Sequence, residues 1–275
     1  MSVTTPTREP ASLPSVRRIS AVRAGLEIRE FFRERDAVVF TFLFPIMFLL
    51  LLSSIFHGTV AGVGARQLYV PGMIAAGVAS TSLLTLGIGI AGEREDGTLR
   101  RLVGTPMPKL AYFLGKVAMV SLVGTLETLV LMVVGRVVFG VQLPSTSGKW
   151  VTLVWVCGLG LVACSLLGVA VSSLPRSARS ATAVINLPFV ALEFISGVFV
   201  PFNQLPHGLQ QVASIFPLKW MAQGLRSAFL PDRFQRVEMT HTWQHGTTAI
   251  VLLAWCGFGL ILCLVTFRWK ARGQG

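Results

Sequence analysis

The sequence predicts an all-α integral membrane protein of six transmembrane helices, and three observations lead there. Of its 275 residues 53% are hydrophobic and only 13% charged, about half the roughly 25% that soluble domains carry. Uncharged runs at Ala37 to Phe56, Leu68 to Gly92, Trp150 to Leu174 and Thr247 to Phe267 each reach the roughly 20 residues a helix needs to cross a bilayer core. Two further segments, Val117 to Val141 and Ala181 to Phe202, are equally apolar but hold Glu127 and Arg136 in one and Glu193 in the other. The third observation is where the cations lie. Of the 24 Lys and Arg, 17 fall before residue 37, within 93–116, within 175–180 or after Phe267. The positive-inside rule puts these segments, and both termini, in the cytoplasm. In such a chain the net charge of +12 describes membrane orientation, and no nucleic-acid partner is called for.

Taken in order, residues 1–12, rich in Thr, Ser and Pro, read as a disordered tail. Residues 13–36 read as an amphipathic helix on the cytoplasmic membrane surface, with Pro14 in its first turn. Val16, Ile19, Val22 and Leu26 fall within an arc of about 120° and arginines cover most of the rest. Arg23 interrupts the stripe, which leaves a merely solvated basic helix as the alternative. Seven arginines precede Ala37, unlike the short basic start of a secretory signal, so the first span is expected to stay attached.

Residues 37–275 form the six-span domain. The first span carries Pro45, and Gly58, Gly62 and Gly64 turn the chain on the outer side. The second is rich in small residues that allow close helix approach. Its Gly87, Gly89 and Gly92 spell G-x-G-x-x-G, but no strand precedes them and no acidic residue follows about 20 positions on, so a dinucleotide site is excluded. The segment 93–116, EREDGTLRRLVGTPMPKLAYFLGK, is the most polar internal stretch. Gly97 breaks the preceding helix, Thr98 caps a short one over Leu99 to Val103, and Pro106 with Pro108 ends it. It is longer than a plain connector and offers a basic helix for a soluble partner. The segment 203–231 stays apolar, yet Pro206, Pro217 and Pro231 cut it into pieces too short to cross. It reads as short re-entrant helices on the outer face, with Lys219, Trp220 and Arg226 at the membrane–water interface.

No chemistry of an energy source is visible. The phosphate-binding pattern G-x-x-x-x-G-K-S/T is absent, since Val117 follows Gly115 and Lys116 and Leu110 stands where the first Gly belongs. His241 and His245 have metal-ligand spacing but lack the carboxylate of H-E-x-x-H, so no metal site is expected. Cys157, Cys164, Cys256 and Cys263 lie inside apolar spans and read as small hydrophobes. Asp96, Gly97 and Arg101 fit a CDP-alcohol phosphotransferase signature except that Arg100 replaces its Ala, and the next aspartate is Asp232. A rhomboid G-x-S-G is missing around Ser196. Glu127 lies eleven residues beyond Lys116, about 16 Å along a helix and so near mid-bilayer. Glu127 and Glu193 are candidates either for a substrate route or for a structural hydrogen bond between helices.

These residues together resemble the ATP-binding cassette type-2 permeases, membrane subunits of bacterial exporters for drugs, lipids and glycans. Glu93, Glu95, Gly97, Thr98, Leu99, Pro106, Gly115 and Lys116 resemble that family's cytoplasmic stretch after the second span. Ser196, Gly197, Pro201, Leu205, Pro206, Pro217 and Arg226 resemble its fifth span and outer re-entrant segment, and a basic amphipathic helix before a span with Phe44 and Pro45 is the third likeness. The resemblance implies a bacterial inner-membrane subunit that pairs with an identical or homologous permease. It implies a separate nucleotide-binding ATPase, holding ATP and Mg, docked on an interface helix (Val16, Ile19, Val22, Leu26). The second docking point would be a coupling helix, at Glu93, Glu95, Gly97, Thr98, Leu99, Arg100 and Arg101. Two Tyr against 18 Phe favour an apolar or amphipathic cargo over a long glycan. Two other classes stand against it. One is an ion-coupled transporter or channel using Glu127, Arg136 and Glu193, and the other is a scaffold without cargo.

Overall fold

The computed structural model describes residues 15–56, 58–60, 62–105, 107–175 and 177–266; the tail 1–12, Pro106 and the basic residues after Phe267 lie outside them. Helices dominate because nearly every segment is apolar and a backbone in lipid must satisfy its own hydrogen bonds. Helix α1 (Val16–Arg33) is followed by α2 (Arg35–Ile55) and a hairpin of two-residue strands, β1 (Thr59–Val60) and β2 (Val63–Gly64). Then come α3 (Ala65–Glu95), the short α4 (Thr98–Val103), α5 (Lys109–Phe139), α6 (Ser147–Val171) and α7 (Ala178–Ile195). Two short helices, α8 (His207–Ile215) and α9 (Pro217–Phe229), precede α10 (His245–Thr266). Among the described residues six helices, α2, α3, α5, α6, α7 and α10, are long and apolar enough to cross a membrane.

The helices are not bounded as the apolar runs are. Both α3 and α5 have 31 residues, about 46 Å at 1.5 Å per residue, against a hydrocarbon core of about 30 Å. Apolar runs report where lipid begins, whereas a helix continues until something breaks it. Helix α5 starts eight residues before the apolar segment that begins at Val117 and carries Lys109, Tyr112 and Lys116 in its first turns. It stops where Gly140 adopts a left-handed φ of 66°. Helix α7 ends at Ile195, seven residues short of the apolar run that reaches Phe202, because Gly197 turns the chain with a φ of 79°.

Helix α3 is the axis of the bundle, packing against α2, α5, α6, α7 and α9. Close approach depends on missing side chains at particular glycines. A Cβ on Gly168 of α6 would stand 2.7 Å from the Leu83 carbonyl of α3. Of the G-x-G-x-x-G residues, Gly87 faces α6 and α7 while Gly89 and Gly92 meet nothing within 4 Å. Every residue of α9 is buried: Met221 occupies the space left by Gly160, and Gly224 receives Val156, 2.8 Å from where its Cβ would stand. Lys219, Trp220 and Arg226 are expected from the sequence at a membrane–water interface. They lie inside the bundle instead, since glycines on both surfaces let α9 sink between α3, α6 and α10.

Candidate functional site

The densest charge in the protein gathers where α1, α3 and α5 meet, at the end of the bundle that carries α4. The last turn of α3 reads Gly92-Glu93-Arg94-Glu95. Successive residues on a helix point about 100° apart, so three adjacent charges reach three different neighbours. Glu93 accepts hydrogen bonds from Lys116 Nζ at 2.6 Å and from the Tyr112 hydroxyl at 2.6 Å. Arg94 donates to the Ser172 carbonyl at 2.6 Å, at the carbonyl-rich end of α6. Glu95 accepts from the Ala178 amide, the first of α7, where a helix has free donors and a favourable dipole for an anion.

From α1, Glu27 takes the other side of the same ammonium, at 2.7 Å from Lys116 Nζ. Arg23 pairs with Glu27 one turn on and reaches Glu93 at 3.5 Å. The Arg23 guanidinium and the Lys116 ammonium stand 5.5 and 5.8 Å from the centre of the Tyr112 ring, close enough for both to interact with its face. Glu27 is only 3% exposed. Gly115 makes this proximity possible, because a Cβ there would meet Arg23 Cγ at 2.6 Å and the Ala24 backbone nitrogen at 3.3 Å. Leu86, Ile90, Leu99, Phe31 and Val120 form the apolar cluster beneath.

Helix α4 hangs from the same corner. Gly97 turns α3 into it with a φ of 79°. The sequence reading gave its first cap to Thr98, but the Asp96 carboxylate accepts from the Thr98 amide at 2.8 Å, because the left-handed glycine brings residue 96 over the helix start. Hydrogen bonds from Thr98 hold the Asp96 carboxyl below its ordinary range. Leu99, 1% exposed, plugs into the apolar cluster, while Arg100 and Arg101 face outward. Alongside runs a groove of about 520 Å³ lined by Ile19, Val22 and Leu26 of α1 and by Leu102 and Met107.

The expected apolar stripe of α1 is therefore not the face that packs on the bundle. Val16, Val22 and Leu26 are exposed, Val22 by 60%, and the buried face runs through Arg23, Glu27 and Phe31. Arg23, Glu27, Arg94, Tyr112 and Lys116 were missed as site residues. Their signals were slight: Arg23 with Glu27 and Tyr112 with Lys116 at i, i+4, and an acid set between Leu26 and Ile28.

The intramembrane acids have different surroundings. Glu127 accepts from the Thr81 hydroxyl at 2.7 Å and lies over Gly77, whose missing side chain makes its space. Glu193 falls on the buried stripe of α7 with Ala181, Ile185 and Phe189, and has no hydrogen bond or ion pair among the described residues. Arg136 is exposed. At the far end Pro206 precedes α8 and Pro217 opens α9, while Pro201 begins the 3-10 turn over Phe202–Gln204. Arg226 pairs with Glu238 at 2.9 Å and reaches the Gly197 carbonyl at 3.4 Å. His241 and His245 face separate partners, the Arg236 carbonyl and the Ser227 hydroxyl, and no group of three metal-binding side chains occurs among the described residues.

A family model described as "ABC-2 type transporter" matches residues 25–230. Among curated proteins the chain is similar to the probable multidrug ABC transporter permease YbhR of Escherichia coli (strain K12), 24% identical over 174 residues, 63% of this chain and 46% of that protein. It is also similar to the putative transport permease YvfS of Bacillus subtilis (strain 168), 23% identical over 196 residues, 70% of this chain and 77% of that one. The match thus spans about half the length of YbhR and most of YvfS.

Proposed function

The chain belongs to the ABC-2 type transporter family, and on that premise we propose that it is the membrane-spanning permease subunit of an ATP-driven exporter. The end carrying α1 and α4 is cytoplasmic. A separate ATPase docks there, and a second permease, identical or homologous, completes the path across a bacterial inner membrane. ATP and Mg belong to that ATPase, whose hydrolysis supplies the energy. The cargo is apolar or amphipathic, a drug-like compound or a lipid. The names of YbhR and YvfS, one a probable multidrug ABC transporter permease and one a putative transport permease, favour this cargo and role.

One observation carries the reading: the Arg23–Glu27–Lys116–Glu93–Tyr112 junction, with α4 at its edge. Helix α4 presents Arg100 and Arg101 outward and Leu99 inward, so a partner gripping the arginines moves the apolar cluster beneath. Helix α1 is tied to α3 and α5 by buried charge pairs, which tolerate little stretching because a separated ion in a low-dielectric site is costly. Arg94 and Glu95 extend the linkage to α6 and α7. A push on α1 or α4 is therefore delivered to four spans together, as alternating access requires.

Affinity purification from native membranes tests this. A P-loop ATPase is expected to co-purify, and its yield should fall about tenfold or more with Arg100→Glu plus Arg101→Glu, by reversal of a charged contact. Recruitment of no ATPase by the wild-type chain overturns the exporter reading.

A further inference from the structure

Helix α1 turns its apolar stripe away from the bundle, yet the stripe is not a flat surface. Ile19, Val22 and Leu26 form one wall of the groove beside α4, and Leu102 and Met107 form the other. Val22 and Leu26 are 60% and 51% exposed there, so an apolar occupant is expected to cover them. A helix about 10 Å across fills about 420 Å³ per turn. The groove, at about 520 Å³, therefore admits little more than one turn of a docking helix, whereas a flexible hydrocarbon chain meets no such limit. Only Glu34 separates α1 from the span α2, which sets the groove beside the bilayer surface, within reach of such a chain.

Charge narrows the occupant. Arg18 lines the groove, and Arg29 follows eleven residues on, about 20° around the helix and about 16 Å along it. Both are exposed, and neither is ion-paired among the described residues. From Val16 to Leu26 the helix has three arginines and no acid, and the facing segment from Thr98 to Lys116 has no acid either. The first acid of α1, Glu27, is held by Arg23 and Lys116, and the next, Glu30, lies past the groove lining. Apolar walls edged by unpaired cations complement a molecule with a hydrocarbon tail and an anionic head.

We propose that the groove between α1 and α4 binds one anionic phospholipid of the cytoplasmic leaflet, with an acyl chain against Val22, Leu26, Leu102 and Met107 and the phosphate meeting Arg18 and Arg29. Arg23 stands both in the groove wall and in the charged junction, so the lipid braces α1 where the junction holds it. The apolar stripe is then covered by lipid, and the outward arginines of α4 are left to the ATPase. The proposal rests on the exporter reading only for the cytoplasmic placement of α1; lipid binding needs no ATPase, so the two fail separately.

Native mass spectrometry tests this on the full-length chain, stripped of lipid in detergent and titrated with dioleoylphosphatidylglycerol or dioleoylphosphatidylcholine. An arginine near a lipid surface contributes about fivefold, so two give a preference of roughly twentyfold for the first phosphatidylglycerol. Arg18→Gln with Arg29→Gln abolishes that preference while phosphatidylcholine binding stays within about twofold, which also reports an intact fold. Val22→Asp weakens both lipids, and Arg136→Gln, at an exposed arginine of the far end, changes neither. Glycerol 3-phosphate, which has the phosphate without the chains, does not compete even in large excess. No preference in the wild type, a preference that survives the double variant, its equal loss in Arg136→Gln, or displacement by glycerol 3-phosphate would each overturn the assignment. So would ATPase recruitment or self-association lost in Val22→Asp with lipid binding unaltered, which gives the groove to a protein. Selective lipid binding by a chain that recruits no ATPase upholds the site and overturns only the exporter reading.

Discussion

Replacing Lys116 with Met removes the ammonium at the centre of the junction while keeping a stem of similar length. Two charge-assisted hydrogen bonds disappear, at 2.7 Å to Glu27 and 2.6 Å to Glu93, each of a kind that contributes about 1.5–3 kcal/mol. The larger effect is what remains. Two carboxylates then face one another in a site where the Glu27 side chain is 3% and the Glu93 side chain 14% exposed, with Arg23 alone against both. Breaking a buried pair costs about 3–5 kcal/mol, and since Arg23 still compensates in part, the expected loss is near the lower end, about 3 kcal/mol. Thermal unfolding of the purified protein measures this, and tryptic release of α1 locates it. Adding Glu93→Gln alone to Lys116→Met should restore much of the loss, because Arg23 then faces the single carboxylate of Glu27 and the charges balance. If Lys116→Met proves no more labile than Met at the exposed Arg17, or if the double variant with Glu93→Gln is worse than the single one, the junction is not a buried electrostatic tie.

Gly115→Ala puts a methyl against Arg23 Cγ and the Ala24 backbone; it should lift α1 from α5 at a cost of about 1–3 kcal/mol, seen as faster proteolysis within α1. Leu99→Asp buries a charge in the apolar cluster and should lower the unfolding temperature sharply, whereas Arg100→Glu, on the outer face, should change stability by no more than about 0.5 kcal/mol while reducing ATPase co-purification. Asp96 is held below its ordinary range by Thr98, so its cap on α4 is present above the unfolded value, about 4, and is lost as pH falls through the lower folded value. Measured against the intrinsic rate at each pH, the protection of the Thr98 amide from hydrogen exchange should fall on acidification in the wild type and be low at every pH in Asp96→Ala; a protected Thr98 amide in that variant would refute the cap.

Some of the site was legible from spacing alone. Gly97 sits where a left-handed break between two helices is needed, and the structure has it there with a φ of 79°. The short basic helix after it was readable from Thr98 to Val103 and matches α4. Its division of labour was not readable: Leu99 and Arg100 are neighbours in sequence, yet one is core and the other surface, which depends on where α1 and α5 lie. Arg23 looked like a flaw in an apolar stripe. In the fold the stripe faces outward and the flaw faces inward, because Glu93, 70 residues away in sequence, joins Glu27 in supplying the carboxylates that make its burial tolerable. Glu127 and Glu193 looked alike in sequence and are distinguished only by their neighbours, Thr81 and Gly77 in one case and the apolar stripe of Ala181, Ile185 and Phe189 in the other.

By itself the sequence determined that this protein lives in a bilayer, crosses it with six helices and carries most of its cations at its two ends and in the loops at 93–116 and 175–180. Those properties are sums over local residues, since transfer into lipid and the length needed to span it depend on composition within a window of about 20 positions. Only the tertiary structure decided that α9 is core rather than interface, that α1 is held by charge rather than by its apolar face, and which buried acid lacks a partner. Each of these turns on whether two groups distant in the chain come within about 3 Å, and a pattern of residue types along one helix contains no information about what stands opposite.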